Sequence, residues 1–421
     1  MPDSPAGPRV AVTADRVFDA RAGRWADGTV VLIEDQVIAG VTGAVPDGWP
    51  VIKMLGTSLL PGLIDAHTHV LLRSTLDELA LAREMIEENP GQRAASAVQA
   101  MAIAVRNGFT TIRDLGTEGA GYYDVGLRDA AREGIVPGPR MLVAGPAIRS
   151  TGRYPVPGQQ HSVTYPVGVD SCTGADACRE TVRTQIAYGI DCLKIYVSGR
   201  VDPPASEQGY PDGPLVWTEE EVHALTDEAH RQGLRVAAHS QTLSGARMAV
   251  AAGVDSIEHG FAISPDLAAD MAARGTVLVP TLLVSREAAE RGWYVSEPVR
   301  AAHDRSFANC LAAGVRIVLG TDVGGFEWTR VSQAEEFALM TGLGMAPVDA
   351  LRAGTLFAAE LLGLGGTAGV IEPGAAADIV AVAGDPLQDI GCLQRVKLVI
   401  QGGRVAWDGH HLAWDGCHTT A

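Results

Sequence analysis

The chain has 421 residues, 47% of them hydrophobic, and a formal net charge of −17. An α/β barrel occupies about 250 residues as one unit, so this length allows one large core with flanking pieces. The acidic balance argues against a phosphate-binding surface, because nucleic-acid affinity rests on clustered Lys and Arg, and no long uncharged apolar run of the kind that spans a membrane is present.

The opening stretch "MPDSPAGPRVAVTADRVFD" lacks the basic start and apolar run of a secretory signal. Residues 9–56 then read as short strands broken by turns such as Asp27-Gly28. From residue 59 the pattern changes. Eight short apolar runs follow, each ending on a polar residue or glycine: "LLPGLIDAHTH" (59–69), "FTTIRDLG" (109–116), "PRMLVAG" (139–145), "CLKIYV" (192–197), "RVAAHS" (235–240), "SIEHG" (256–260), "TVLVPT" (276–281) and "RIVLGTD" (316–322). Between most of them lie Ala-rich stretches with helical periodicity. "TEEEVHALTDEAHRQG" carries Thr218 with Glu221 three residues on, a capping box, and stops at Gly233; two later stretches stop on Gly275 and Gly314. Residues 370–408 return to short strands.

Eight strands alternating with helices specify an α/β fold, a (β/α)8 TIM barrel, more economically than any open sheet. The N- and C-terminal segments are expected to meet as a small β-sandwich beside it. The expected division is 1–58, 59–365 and 366–421. Six cysteines (Cys172, Cys178, Cys192, Cys310, Cys392, Cys417) are scattered without zinc-knuckle pairs, which predicts free thiols and a cytoplasmic protein. The expected partner is a small-molecule substrate, with a homo-oligomer allowed for and neither nucleic acid nor membrane.

Barrel active sites are built where the strands end. Those ends carry His67 and His69, two apart and so on one face of the strand, then Lys194, His239, His259 and Asp322. Taken singly, each has a bland reading: a strand-end His is ordinarily a satisfied polar residue, and Asp322 could cap a helix. A lysine inside a barrel strand is harder to dismiss, because a buried ammonium is costly unless paired or neutralised. Jointly the bland readings fail. Four imidazoles and a carboxylate on one rim need a cation to take their lone pairs, and this donor set suits zinc, with manganese, cobalt or iron as alternatives. His223, His230, His303, His410, His411 and His418 read as ordinary helix and tail residues.

The HxH after "PGLIDAH", the fourth-strand lysine, the two later histidines and the Asp of "GTD" resemble the metal-dependent amidohydrolase superfamily over nearly the whole chain, including the closing stretch "IEPGAAADIVAVAGDPL". "GFTTIRDLG", "LKIYVSG", "GVDSIEHG" and "GTDVGG" are most similar to its imidazolonepropionase-related branch, which includes Xaa-Pro and Xaa-Arg dipeptidases. The resemblance implies two divalent metal ions: His67, His69 and Asp322 on one, His239 and His259 on the other, with carbon dioxide bound as a carbamate on Lys194 bridging both. Imidazolonepropionase itself is mononuclear and lacks the bridging lysine, so Lys194 favours two metals.

That centre implies a hydrolase cleaving an amide bond of an N-acyl amino acid, dipeptide or carboxamide. A metal-bridging hydroxide would attack, Asp322 would act as general acid/base, and one metal, with His259 or a nearby donor, would polarise the carbonyl. A carbamate, urea, lactam or ester bond, or a deamination, is the alternative, and a non-catalytic scaffold is the alternative of another class. Dipeptidase members carry a "TGGHG"-like stretch after the third strand; here Thr151-Gly152 are followed by Arg153-Tyr154 instead of Gly-His. Arg153, Tyr154 and His161 on that loop, together with Gln241 where a Gly is common, are the expected substrate contacts.

Overall fold

The structure, a computed structural model, describes residues 9–73, 78–152, 162, 168–199, 209–292 and 295–413, with the backbone alone for residues 78–80. The terminal segments meet in a single eight-stranded sheet where a two-sheet sandwich was expected. Strand Arg9–Asp19 pairs antiparallel with Val30–Glu34 and parallel with Val51–Pro61. Val51–Pro61 in turn pairs antiparallel with Ile379–Ala383, Leu60 facing Val380, and the sheet continues through Val396–Gln401 to Arg404–Trp407. Val12, Val17, Ile33, Leu59, Ile379 and Ile400 give this sheet an apolar core of its own.

Between the terminal pieces, strands alternate with helices. Leu63–Thr68, Phe109–Asp114 and Arg140–Val143 form one parallel sheet. Cys192–Tyr196, Arg235–Ser240, Ser256–His259 and Val277–Val279 form the body of a second, edged by Ile148–Ser150 and Asp170–Cys172. Four of these strands, Leu63–Thr68, Phe109–Asp114, Ser256–His259 and Val277–Val279, are buried along their whole length, as parallel strands covered on both faces are. A charged residue inside one of them therefore has to find its partner within the protein.

Seven of the eight expected strands form. The eighth run, 316–322, makes only isolated bridges, Leu278 with Ile317 and Thr68 with Val323. It nevertheless lies between the two parallel sheets: Val318 N donates to Leu278 O (2.9 Å), and Ala66 N and Asp322 N exchange bonds with Leu319 O (3.0 Å) and His67 O (2.8 Å). On the opposite side, Asp191 N donates to Val143 O (2.8 Å). The strand-end residues of both sheets are thereby held near one another.

The helices follow their local signals. Thr218 and Glu221 make both bonds of the capping box at the start of Glu219–Arg231. Pro265–Arg274 and Glu297–Ala313 end on Gly275 and Gly314 in left-handed conformation, where glycine has no steric cost. No described helix is long and apolar enough to cross a membrane.

Candidate metal-dependent active site

The first strand brings His67 and His69 to its end, and their outer nitrogens are already taken. His67 Nδ1 is 2.7 Å from Glu258 Oε2, and His69 Nδ1 is 2.9 Å from Gly116 O. Both rings therefore turn Nε2 inward. His69 Nε2 lies 3.2 Å from Asp322 Oδ1 and His67 Nε2 3.7 Å from the same oxygen. Two glycines make room for this approach. A Cβ on Gly320 would stand 2.9 Å from His67 Cβ, and one on Gly324 would stand 2.7 Å from His69 Cβ.

His259 completes the inner group. Its Nδ1 is 2.8 Å from Thr281 Oγ1 and 3.8 Å from Asp322 Oδ2. Donor atoms of His67, His259 and Asp322 all lie within 4.8 Å of one another. His239 stacks edge-on against His259, ring centroids 4.5 Å apart. Lys194 Nζ lies 3.3 Å from His67 Nε2. The six side chains singled out in the sequence thus converge, three as a compact donor group and three adjoining it.

Burial shapes the charges here. It is the main cause that holds His67, His239 and His259 well below the ordinary histidine value, with the Lys194 charge acting in the same direction. Neutral imidazoles with inward lone pairs are what a divalent cation requires. Burial would lower His69 as well, but the hydrogen bond and charge of Asp322 outweigh it and raise that ring to about 9. Burial also lowers Lys194 to about 8, so its amine is far closer to the neutral, nucleophilic form than a surface lysine.

His259, Thr281 and Asp322 all adopt left-handed backbone, with φ of 67°, 50° and 59°. Non-glycine residues pay on the order of 1–3 kcal/mol for such conformations, which persist where surrounding structure over-determines them. Three of them at one rim mark it as a built site.

Residues 58–406 match the amidohydrolase family. The chain belongs to that family. It is 27% identical over 378 residues to the ochratoxinase of Aspergillus niger, covering 82% of this chain and 75% of that protein. It is 27% identical over 389 residues to the imidazolonepropionase of Deinococcus deserti, covering 86% of this chain and 88% of that one. A solved Xaa-Pro dipeptidase with methionine bound in its active site superposes with a TM-score of 0.82 at 30% identity, covering 94% of this chain and 99% of that one. The chain is therefore an amidohydrolase of the branch with imidazolonepropionases and Xaa-Pro dipeptidases, a metal-dependent hydrolase of carbon–nitrogen bonds.

Of the expected substrate contacts, Arg153, Tyr154 and His161 lie outside the described residues. Gln241 is described and buried, its backbone N–H donating to Ser198 Oγ at 2.8 Å. Among the remaining histidines His223, His230, His410 and His411 are exposed, while His303 is buried against Phe261.

Sequence reasoning passed over the residues behind the amidohydrolase donor set. Asp65, fully buried, accepts from His67 N, Thr321 N, Thr321 Oγ1 and Gln333 Nε2, tying the first strand to the 316–323 segment. Arg113 Nη2 is 2.9 Å from Glu258 Oε1, and Tyr196 OH donates to Glu118 Oε1 at 2.8 Å. The available signal was a charged residue within an otherwise apolar strand, as in "TTIRD" and "SIEHG".

Proposed function

We propose that this chain is a binuclear metal-dependent hydrolase cleaving an amide bond of a small molecule such as an N-acyl amino acid, a dipeptide or a carboxamide. The observation that carries the reading is the convergence of His67, His259 and Asp322 donor atoms within 4.8 Å, with His69, His239 and Lys194 adjoining. His67, His69 and Asp322 would hold one divalent ion and His239 and His259 the other. Lys194, as a carbamate, would bridge them. Zinc fits imidazole and carboxylate donors best.

The two ions would supply an acidified water and a polarised carbonyl. The protein supplies the rest. His67 and His69 aim Nε2 inward because Nδ1 of each is engaged elsewhere, and a metal ion would take the place of the proton that His69 shares with Asp322. Asp322 faces His67, His69 and His259 and would take a proton from the attacking water and return it to the leaving nitrogen. His259, on the same rim, would steady the scissile carbonyl. Substrate contacts on the loop carrying Arg153, Tyr154 and His161, and at Gln241, belong to the same reading. So do closure of the two parallel sheets into a (β/α)8 barrel over 59–365 and terminal units at 1–58 and 366–421. The similarity to an Xaa-Pro dipeptidase supports a dipeptide-like substrate. The described cysteines are free and buried, which favours the cytoplasm.

The test is elemental analysis together with a panel of dipeptides, N-acyl amino acids, aryl amides, carbamates and ureas, scored for amine, ammonia and carbon dioxide. Two metal equivalents with amine release from amides is the expected result. Substoichiometric metal after chelator-free purification, or turnover confined to carbamates and ureas, would overturn it.

A further inference from the structure

Glu258 stands one residue before His259 in the strand Ser256–His259, yet its side chain serves a different strand. It is fully buried. Its Oε1 accepts from Arg113 Nη2 at 2.9 Å and from Ser256 Oγ at 2.5 Å. Its Oε2 is 2.7 Å from His67 Nδ1. Arg113 is itself anchored, its Nε donating to Ala66 O at 2.7 Å, one residue before His67. The carboxylate is therefore gripped on one oxygen and offers the other to a single partner. Its charge is balanced by a guanidinium that also holds the backbone beside His67.

Neither His69 nor His259 has, among the described residues, a carboxylate within hydrogen-bond distance of its Nδ1. His69 Nδ1 faces a neutral carbonyl and His259 Nδ1 a neutral hydroxyl. A carboxylate acceptor is the stronger partner. It fixes which nitrogen keeps the proton, orients the ring and makes the opposite nitrogen a better donor.

We propose that Glu258 is a positioning residue for the metal bound through His67: it holds the proton on Nδ1, locks the ring and aims Nε2 at the ion shared with His69 and Asp322. This rests on the two-metal reading above. It adds an asymmetry, because the ion on His67 gains from an anionic second partner, whereas His259 on the other ion is backed by a neutral hydroxyl.

The test is titration of the metal-free full chain with Co(II) in bicarbonate buffer, followed by calorimetry and visible absorbance, for wild type and Glu258→Gln. Wild type should take up two equivalents. In Glu258→Gln one binding step should weaken by about 10–100-fold and its absorbance band should shift, while the other step stays within about threefold. Wild-type affinities at both steps in the folded variant would overturn the proposal, and so would equal weakening of both, which marks a merely structural role. Fewer than two cobalt ions on wild type would instead overturn the two-metal reading itself. Because Glu258→Gln strands the buried Arg113, the double variant Glu258→Gln/Arg113→Met removes both charges. It carries the same test if the single variant does not fold, and wild-type affinity at both steps in it overturns the proposal equally.

Discussion

His259 and Asp322 face one another across the rim, Nδ1 to Oδ2 at 3.8 Å, and both hold left-handed backbone. Left-handed backbone is uncommon for any non-glycine residue, though histidine and aspartate enter it more readily than most, and here it bends the chain at the two places where these side chains turn inward. Thr281, also left-handed, closes the set by bonding His259 Nδ1. The site's geometry is thus purchased with backbone strain at three points, and the packing around them has to hold it.

Replacing Asp322 with Asn keeps the size and one acceptor oxygen but removes the basic oxygen. Fold and most of the metal content should survive, while turnover falls by a factor on the order of 10² or more, as expected for loss of an acid–base group. Steady-state kinetics alongside elemental analysis checks this. Near wild-type turnover would take Asp322 out of the proton path.

Gly324 has φ 102° and lies against the His69 backbone. A methyl group there would collide with the His69 carbonyl and Cβ, and alanine resists that φ. Gly324→Ala should lower stability by about 2–4 kcal/mol through strain and overpacking, and should displace His69 enough to weaken metal binding. Urea unfolding and metal content measure the two effects. A variant of normal stability and full metal content would mean that the loop yields without moving His69.

The parts legible in the sequence were those written locally. Thr218 with Glu221, and the glycines at 275 and 314, mark helix ends because caps are made within a few residues. His67, His69, His239, His259 and Asp322 were visible because polar residues close apolar runs there, and Lys194 because a charge inside such a run needs a partner. The supporting residues were not. Glu258 and His67 lie 191 positions apart, and nothing local says which buried charge meets which ring. The 316–322 run read as a strand from its apolar character, but periodicity carries no information on hydrogen bonding, and only residues 317 and 323 make bridges. The terminal segments were correctly expected to meet, though in one sheet.

Glu336 gives a pH dependence away from the donor set. Burial raises its carboxyl from 4.5 to about 8, although Leu282 N and Leu283 N donate to it. Asp124 is raised to about 8 by burial and the nearby Asp114 charge. In the window between the unfolded and folded values, the folded chain keeps a proton that the unfolded chain has released. Stability is therefore complete below the unfolded value and falls as pH rises toward about 8, by at most about 1.4 kcal/mol per unit for each group. Urea midpoints should be lower at about pH 8.5 than at about pH 5.5, and Glu336→Gln should flatten the slope. An unchanged slope in that variant would exclude Glu336 as a source.

Lys194 is the residue for which bland explanations work least well. It is 1% exposed, with Nζ 3.3 Å from His67 Nε2 and 5.7 Å from the Tyr196 ring centre. An ammonium among imidazoles that must bind cations would repel those cations. On the two-metal reading proposed above, carbon dioxide would resolve this. The ammonium first gives up one proton, and the free amine then attacks the carbon, so that a nitrogen–carbon bond forms as one carbon–oxygen π pair moves onto oxygen. A second proton leaves, turning a cationic side chain into an anionic oxygen donor. Burial, by lowering the lysine to about 8, favours the free amine that this step needs. Lys194→Ala should lose metal and activity together, with turnover down by a factor on the order of 10³, since a bound Lewis acid is worth several kcal/mol. A small carboxylic acid such as acetate should restore part of both by filling the space with an anionic oxygen, and Lys194→Arg, which cannot form a carbamate, should not. Full metal content and turnover in Lys194→Ala would show that the lysine holds neither ion.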